Sequence, residues 1–344
     1  MEKRYREVIV HGSPFEMGRQ IGEAAREEIR GFNAIALERV NKTIDISKSQ
    51  AQSVARQSAV MAEKYAPNLI DELRGMEQSS GIDINELIFL QVRNQLLSKP
   101  EGGCTSFSYR DTNNSILAQN WDNDPALDPY TIVLTRIPDD GPSFINITQA
   151  GLIGYIGFSA AGIGVCLNSL PAPSREIGVP HYFTVRSIFE CHSLDEATDA
   201  VQRAHRAIPA NIMLATPEGP ADMEITIDQV HVIQDPQIIT HTNHCLHPSL
   251  QSINNNFPEL IQSAPRLKRV REIIDSKFIN VETAQKALKD HSGYPHSICR
   301  HANNNPQTGF WTTVFSVIME ISNKKMHVSR GNPCENFYET YTLC

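Results

Sequence analysis

Long apolar runs are missing from this chain of 344 residues, although 40% of its residues are hydrophobic. No stretch reaches the roughly 20 consecutive apolar residues that a membrane-spanning helix needs. No apolar segment follows the charged N-terminal residues Met1–Arg6 either. The sequence therefore predicts neither a membrane partner nor a secretory signal, and we expect a cytoplasmic protein.

An excess of positive charge is also missing, since the formal net charge is −8. Nucleic acid is bound through basic surfaces that neutralise phosphates. We therefore expect small molecules, and not nucleic acid, as partners of this chain.

Paired cysteine motifs are absent as well. The chain has seven cysteines, none at C-x-x-C spacing: Cys104, Cys166, Cys191, Cys245, Cys299, Cys334 and Cys344. An odd, scattered set is typical of reduced thiols and argues against a disulfide framework. We expect most of them to pack as small buried hydrophobic side chains.

Helices are predicted for most of the first hundred residues. Capping-box patterns occur at Ser13–Glu16 and Asp83–Glu86, and a further helix is predicted over Lys48–Tyr65. Proline and two glycines in Lys99–Gly103 end this helical part. Short β-rich runs dominate after Cys104, with helices predicted near residues 181–207, 264–274 and 281–291. Helices followed by strands favour an α+β layered fold over alternating βαβ units.

The stretch Gly102-Gly103-Cys104-Thr105-Ser106 contains the most informative chemistry. A glycine pair permits unusual backbone conformations and leaves the Gly103 carbonyl open to attack by the thiol that follows it. Hydrolysis of the resulting thioester would free the α-amino group of Cys104. That amine, with a pKa of roughly 7.7–8, could serve as the base for its own thiol. Taken alone, these residues favour a buried cysteine after a glycine turn over a nucleophile.

A cluster of metal-ligand residue types offers a different interpretation. His241, His244, Cys245 and His247 are all zinc-ligand types. On a strand, residues 241, 245 and 247 would share one side and 244 would point to the other. There is no second ligand pair at zinc-finger spacing and no H-E-x-x-H motif. We therefore expect no metal, and keep a metal-dependent hydrolase as an alternative.

Five segments, in order and over nearly the whole chain, resemble the isopenicillin N acyltransferase family, the acyl-coenzyme A:6-aminopenicillanic acid acyltransferases. They are Gly12–Gly18, Gly103–Ser106, Gln119–Asp122, His241–Leu246 and Tyr294–Arg300. The resemblance implies an Ntn-hydrolase fold, an α+β four-layer αββα sandwich of two stacked antiparallel sheets flanked by helices. It also implies autocleavage between Gly103 and Cys104, giving a helical light segment, 1–103, and a strand-rich heavy segment, 104–344. Both segments would form one domain and remain associated.

The same resemblance implies roles for individual residues. Cys104 matches the nucleophile, with Thr105 and Ser106 as supporting neighbours. Asp122 matches a carboxylate that holds the α-ammonium group or an arginine. Asn243 matches the oxyanion-hole residue, whose amide can donate to a developing negative oxygen without changing charge. Arg300 matches an active-site arginine that pairs with Asp122 or with an anionic group of the substrate.

The function that follows is a cysteine amidohydrolase or acyltransferase without a cofactor. Cys104 would form a thioester with an acyl group taken from an N-acyl amide or from acyl-coenzyme A. Water or an amine would then resolve it, and we favour amide hydrolysis. Hydrolysis of β-alanyl amines on the same site is an alternative. The acyl group, the acceptor and the oligomeric state, including a homo-oligomer, stay open.

Overall fold

The computed structural model describes residues 4–42, 44–96, 102–256, 262–274, 278–305 and 309–343. Within those ranges the helices are α1 (Pro14–Ala24), α2 (Arg26–Val40), α3 (Lys48–Tyr65), α4 (Pro67–Ser80), α5 (Ile84–Val92), α6 (His181–Ile188), α7 (Leu194–Gln202), α8 (Ser263–Ile274) and α9 (Val281–Leu288). The strands are β1 (Arg6–Gly12), β2 (Gly103–Arg110), β3 (Ser115–Asn123), β4 (Thr131–Pro138), β5 (Phe144–Gln149), β6 (Ile156–Ser159), β7 (Gly164–Asn168), β8 (Ala210–Thr216), β9 (Gly219–Ile225), β10 (Val230–Gln234), β11 (Ile238–His241), β12 (Thr312–Glu320), β13 (Lys325–Arg330) and β14 (Tyr338–Thr342).

The helices predicted before residue 100 are present as α1–α5, and α3 has the predicted bounds. The side chain of Ser13 caps α1 by accepting a hydrogen bond from the Glu16 N–H. The second capping box does not close, because Asp83 caps the Asn85 N–H instead. The carboxylate of Glu86 is drawn away by the ammonium group of Lys48, 2.8 Å distant.

Strand β1 differs from the helical start that we predicted. It pairs in parallel with β4, from Arg6 opposite Ile132 to Gly12 opposite Pro138. The sheet that contains it is therefore mixed, which corrects the expectation of two wholly antiparallel sheets. The long helix predicted over 181–207 is also interrupted, because Ser193 caps a new helix, α7.

Two stacked sheets form the centre of the molecule. Among the described residues, one sheet has the order β1-β4-β5-β6-β7-β8-β9-β10 and the other β11-β2-β3-β12-β13-β14. Side chains alternate between the faces of a strand, and β3 illustrates the result. Leu117 packs in the core shared by the two sheets, whereas Ile116 and Ala118 pack in a separate core with α8 and α9. Helices α1–α7 contribute to the same core as Leu117, and α1, α2 and α7 contact strands of the first sheet. The predicted α+β four-layer sandwich is thus confirmed.

The regions before and after Gly103 share this core. Glu72 of α4 and Arg136 of β4 form a buried ion pair of 2.7 Å, and Tyr341 of β14 donates a hydrogen bond to the Tyr5 carbonyl. Of the helices that the structure describes, none combines the length and hydrophobicity that a bilayer crossing requires.

Candidate active site

Cys104 lies at the beginning of β2, in the interior of the molecule, with 5% of its surface exposed. The register of β2 and β3 pairs Gly103 with Asp122 and Cys104 with Trp121. Paired residues on neighbouring strands point to the same face. The thiol of Cys104 therefore points between the sheets, and the peptide bond that precedes it lies on the side of the Asp122 carboxylate.

The two glycines are required by this crowded position. Gly102 has a φ of +68°, and a Cβ there would collide with the Asp122 carbonyl oxygen. A Cβ on Gly103 would lie 3.2 Å from Asp122 Oδ2 and 3.3 Å from Arg266 Nη2. Charged groups of both signs thus surround the Gly103–Cys104 link.

Asn243 follows β11 and contacts the main chain of Cys104. Its Oδ1 accepts a hydrogen bond of 2.8 Å from the Cys104 N–H. Its Nδ2 donates to the carbonyl and the hydroxyl oxygen of Ser169, each at 3.0 Å. The family resemblance implies that Asn243 is an oxyanion donor; in the structure it accepts from Cys104 and donates to Ser169.

Arg266 is a site residue that the sequence analysis missed. From the first turn of α8, Nη2 donates to Asn243 Oδ1 at 2.8 Å and Nη1 to Thr105 Oγ1 at 2.9 Å. Nη1 also donates to the Cys104 carbonyl oxygen. Only 2% of the surface of Arg266 is exposed. Its position four residues before the buried Val270, on the apolar stripe of α8, was the signal that could have revealed it.

Asp122 and Arg300 form a buried ion pair beside Gly103. Arg300 Nε lies 3.3 Å from Asp122 Oδ2, and Thr313 Oγ1 donates to Asp122 Oδ1 at 2.7 Å. The structure thus brings Cys104, Asp122, Asn243 and Arg300 together from four separate segments of the chain. Of the predicted supporting residues, Thr105 contacts Arg266, and Ser106 donates across to Asn168 Oδ1 at 2.9 Å.

The surroundings keep the thiol of Cys104 protonated. Burial, followed by the negative charge of Asp122, raises its pKa to about 12, and the positive charge of Arg266 opposes this rise. Burial also raises the pKa of Asp122, against the two nearby guanidinium groups. In this structure the sulfur is therefore a neutral thiol and not a ready nucleophile.

The four residues of the alternative metal site point to different partners. His241 ends β11 and pairs with Glu224, Nε2 to Oε1 2.9 Å. Because the strand ends there, the assumed alternation of faces does not continue, and His244 instead binds the Ser263 hydroxyl at 2.6 Å. His247 stacks on His231, and Cys245 packs in a small apolar cluster. Among the described residues, this set is not one of the groups with converging ligand atoms.

Asp222, Glu224 and His241 do lie together, as a hydrogen-bonded group in which only Asp222 Oδ2 has no partner. Glu224 accepts from His241 and from the His247 N–H, and Asp222 accepts from Asn211. Despite burial, the carboxylates raise the pKa of His241. These contacts account for the group as an internal ion pair.

Known proteins resemble this chain in sequence and in structure. An acyl-coenzyme A:6-aminopenicillanic-acid-acyltransferase (40 kDa form) of Emericella nidulans is 28% identical over 348 aligned positions, covering 97% of this chain and 96% of that protein. Among solved structures, a mutant of the conjugated bile acid hydrolase of Clostridium perfringens has a TM-score of 0.48 at 11% identity, covering 70% of this chain and 97% of its own. Penicillin V acylase of Agrobacterium tumefaciens has a TM-score of 0.45 at 11% identity, with coverages of 66% and 83%.

The family model described as acyl-coenzyme A:6-aminopenicillanic acid acyl-transferase matches residues 109–335, well over half of the sequence. The chain therefore belongs to the acyl-coenzyme A:6-aminopenicillanic acid acyl-transferase family.

Proposed function

We propose that this protein cuts its own chain between Gly103 and Cys104 and then uses Cys104 to hydrolyse an N-acyl amide or to transfer its acyl group. One observation carries the proposal: four side chains converge on the main chain of Gly103 and Cys104. They are Asn243, Arg266, Asp122 and Arg300. A structural cysteine would not need a buried amide oxygen on its N–H and a buried guanidinium group on its carbonyl oxygen.

The cleavage step begins with attack of Cys104 Sγ on the carbonyl carbon of Gly103. The C–N bond breaks, a thioester forms, and the thiol proton passes to the departing nitrogen of Cys104. Water then hydrolyses the thioester, which leaves a carboxylate on Gly103 and restores the thiol. Because Asn243 Oδ1 already accepts from this nitrogen, it can hold the new ammonium group after cleavage.

The cut creates two new groups, the carboxylate of Gly103 and the α-amine of Cys104, and the amine is the proposed base. Its ordinary pKa of roughly 7.7–8 is suited to accept the thiol proton near neutral pH. Asp122 and Asn243 lie where they can orient this amine. The thiol then forms an acyl-thioester with the substrate, which water or an amine resolves.

For substrates, N-acyl amides come first and acyl-coenzyme A second. The relative from Emericella nidulans is named for acyl-coenzyme A, and thioester donors suit a thiol nucleophile because thiol–thioester exchange is nearly balanced in energy. β-Alanyl amines are a further candidate acyl source for the same site. Whether water or an amine resolves the thioester depends on how far the pocket excludes water.

The two fragments would stay together after the cut. Parallel pairing of β1 with β4 and the buried Glu72–Arg136 pair both join the region before Gly103 to the region after Cys104. Separating the fragments would expose a sheet edge and two unpaired charges.

Intact mass spectrometry of the purified protein tests the proposal. We expect two polypeptides, residues 1–103 and residues 104–344, the second having 344 − 103 = 241 residues and beginning at Cys104. They should migrate together in native size-exclusion chromatography. N-acyl amides, and acyl-coenzyme A with amine acceptors, are then screened as substrates.

Two variants complete the experiment. Cys104→Ala should remain a single inactive chain, whereas Cys191→Ala, which removes another buried thiol, should be cut as in the wild type. A fully active wild-type protein of one unbroken chain, or cleavage in Cys104→Ala, would contradict the proposal.

A further inference from the structure

Four side chains of metal-ligand type converge away from Cys104, on loops next to α9 and β13. His291 follows α9, Cys299 and His301 lie in the segment leading to β12, and Cys334 lies between β13 and β14. Their ligand atoms all lie within 4.8 Å of one another. His301 Nε2 is at the centre of the group, 3.1 Å from His291 Nε2, 3.7 Å from Cys299 Sγ and 3.4 Å from Cys334 Sγ.

These distances agree with the edges of a zinc tetrahedron. With Zn–S bonds of about 2.3 Å and Zn–N bonds of about 2.05 Å, tetrahedral angles separate two sulfurs by about 3.8 Å, two nitrogens by about 3.3 Å, and a sulfur from a nitrogen by about 3.6 Å. In the structure the two sulfurs, of Cys299 and Cys334, are 3.5 Å apart. These four separations each lie within about 0.3 Å of the tetrahedral values, and the other two, from His291 to each sulfur, are within 4.8 Å.

The neighbouring groups match the usual surroundings of a metal site. His301 Nδ1, the ring nitrogen turned away from the group, lies 3.9 Å from the carboxylate of Glu335. The distance exceeds that of a hydrogen bond, but the carboxylate lies on the side from which such a group orients a ligating histidine. Asn332 Nδ2 points at Cys299 Sγ from 3.5 Å, as a donor to a thiolate does.

We propose that His291, Cys299, His301 and Cys334 bind one structural zinc ion. Each thiol loses its proton to solvent when its sulfur bonds to the metal, so the two thiolates balance the charge of Zn²⁺ and the two imidazoles remain neutral. Four protein ligands fill the tetrahedron, which leaves no open position for substrate.

The ion would act on the active site through the backbone. Cys299 and His301 are the two neighbours of Arg300, whose guanidinium pairs with Asp122. Zinc would join the segment that carries Arg300 to the loop before β14. In this arrangement the metal is a positioning element for Arg300 and takes no part in the reaction.

No sequence motif indicates this site, and the sequence analysis expects no metal. Cys299-Arg300-His301 is too short a spacing for a zinc-finger pair, and Cys334 lies 33 residues beyond His301. Cys334 reaches the other three because it lies in the connection between β13 and β14, which pair beside β12 at the edge of the second sheet.

Metal content tests the proposal. Protein purified in reducing, chelator-free buffer, loaded with zinc and dialysed should contain one zinc ion per chain by plasma mass spectrometry. Cobalt in place of zinc should show the visible absorption of tetrahedral, thiolate-bound Co²⁺. Removal of the metal should lower the thermal unfolding temperature, and zinc should restore it.

Variants assign the ligands. Cys334→Ser, at a partly exposed loop position, and His291→Asn, at an exposed one, should each reduce bound zinc to background and change the cobalt spectrum while the fold is kept. Cys191→Ala should retain one zinc. The uncut Cys104→Ala chain should also bind zinc, so that failure of self-cleavage and failure of the metal site are distinguishable.

Three results would overturn the proposal. The first is wild-type protein that holds only background zinc after loading. The second is Cys334→Ser or His291→Asn with undiminished zinc and an unchanged cobalt spectrum. The third is a Cys299–Cys334 disulfide in the purified protein that persists in place of metal.

Discussion

Two carboxylate–guanidinium pairs are buried in this molecule to nearly the same extent, but they face different surroundings. Glu72 and Arg136 join α4 to β4, with Nη2–Oε1 and Nε–Oε1 distances of 2.7 and 2.9 Å. Asp122 and Arg300 join β3 to the loop before β12, at 3.3 Å. Both pairs are withdrawn from solvent, where an unpaired charge is costly.

The pairs differ in the groups that they contact. Arg136 also donates to the neutral side chain of Asn146, and among the contacts described for this pair we find no nucleophile. The Asp122–Arg300 pair instead borders Gly103 and shares its surroundings with Arg266. Together with burial, the negative charge of Asp122 raises the pKa of the Cys104 thiol to about 12.

A buried ion pair is therefore not by itself the sign of an active site. Glu72 lies before the proposed cut and Arg136 after it, so this pair is suited to hold two fragments together. Asp122 and Arg300 lie on the same side of the cut and flank the bond to be broken. Different results from variants of the two pairs would sharpen this distinction.

The largest effect is expected for the stability of a Glu72→Gln variant. The change leaves the Arg136 guanidinium buried without a counter-charge, which costs about 3–5 kcal/mol of unfolding free energy. Urea unfolding measures this loss. Cleavage at Cys104 should continue, because the pair does not contact the site.

Asp71→Asn is the matched control, since Asp71 belongs to the same helix but forms an exposed pair with Arg74 at 2.8 Å, with side chains 52% and 50% exposed. It should cost less than about 1 kcal/mol. If the Glu72→Gln protein were folded but no longer cut, the Glu72–Arg136 pair would affect cleavage as well as stability. The proposed difference between this pair and Asp122–Arg300 would then be wrong.

The next largest effect is expected on the rate of acyl turnover when the Asn243 amide, with its acceptor Oδ1 and its donor Nδ2, is replaced. Asn243→Ala should reduce acyl turnover by about 10²–10³, by analogy with the loss of other oxyanion donors. Asn243→Asp keeps an oxygen that can accept from the Cys104 N–H but removes the amide donor. If the donor matters in the mature enzyme, the aspartate variant should be cut efficiently and yet turn over as slowly as the alanine variant.

Measured rates of both steps decide between the roles. Turnover by Asn243→Asp at the wild-type rate would remove the oxyanion function from Asn243. Slow cleavage in both variants would show that self-cleavage needs the amide as a hydrogen-bond donor. The contact seen before cleavage, in which Asn243 Oδ1 accepts from the Cys104 N–H, would then not be the one that matters.

The residues of this site lie in short, distinctive segments of the local sequence, but their roles were assigned through the family resemblance. Cys104 follows two glycines whose backbone requirements the structure explains, and Asp122 follows Asn-Trp at the end of a strand. Their approach to Asn243 and Arg300 rested on the family resemblance alone. Periodicity also predicts α3 fully, because its apolar spacing and Ser47 cap act locally.

The missed features depend on contacts distant in sequence. Arg266 belongs to the basic stretch Arg266–Arg271 and is distinguished only by the helix face that it shares with Val270. Strand β1 is seven residues long, and its partner β4 lies more than a hundred residues away. Parallel pairing of this kind leaves no turn signal in the sequence.

The smallest effect expected is on the reactivity of Cys104 before and after the cut. In the precursor, burial and Asp122 raise the thiol pKa to about 12, so the thiolate fraction should rise about tenfold per pH unit from about pH 6 to pH 10. In the mature chain the free α-amine accepts the proton, and labelling should level off above about pH 8. Near neutral pH the mature thiol should react faster by about one to two orders of magnitude, because the greater nucleophilicity of a high-pKa thiolate offsets part of its scarcity.

A single pulse of iodoacetamide on a partly processed sample, with mass spectrometry of the Cys104 peptide from each form, measures both rates under identical conditions. Equal rates and parallel pH profiles would mean that the new amine does not activate the sulfur, and that the charged groups around Asp122 serve the cleavage step alone.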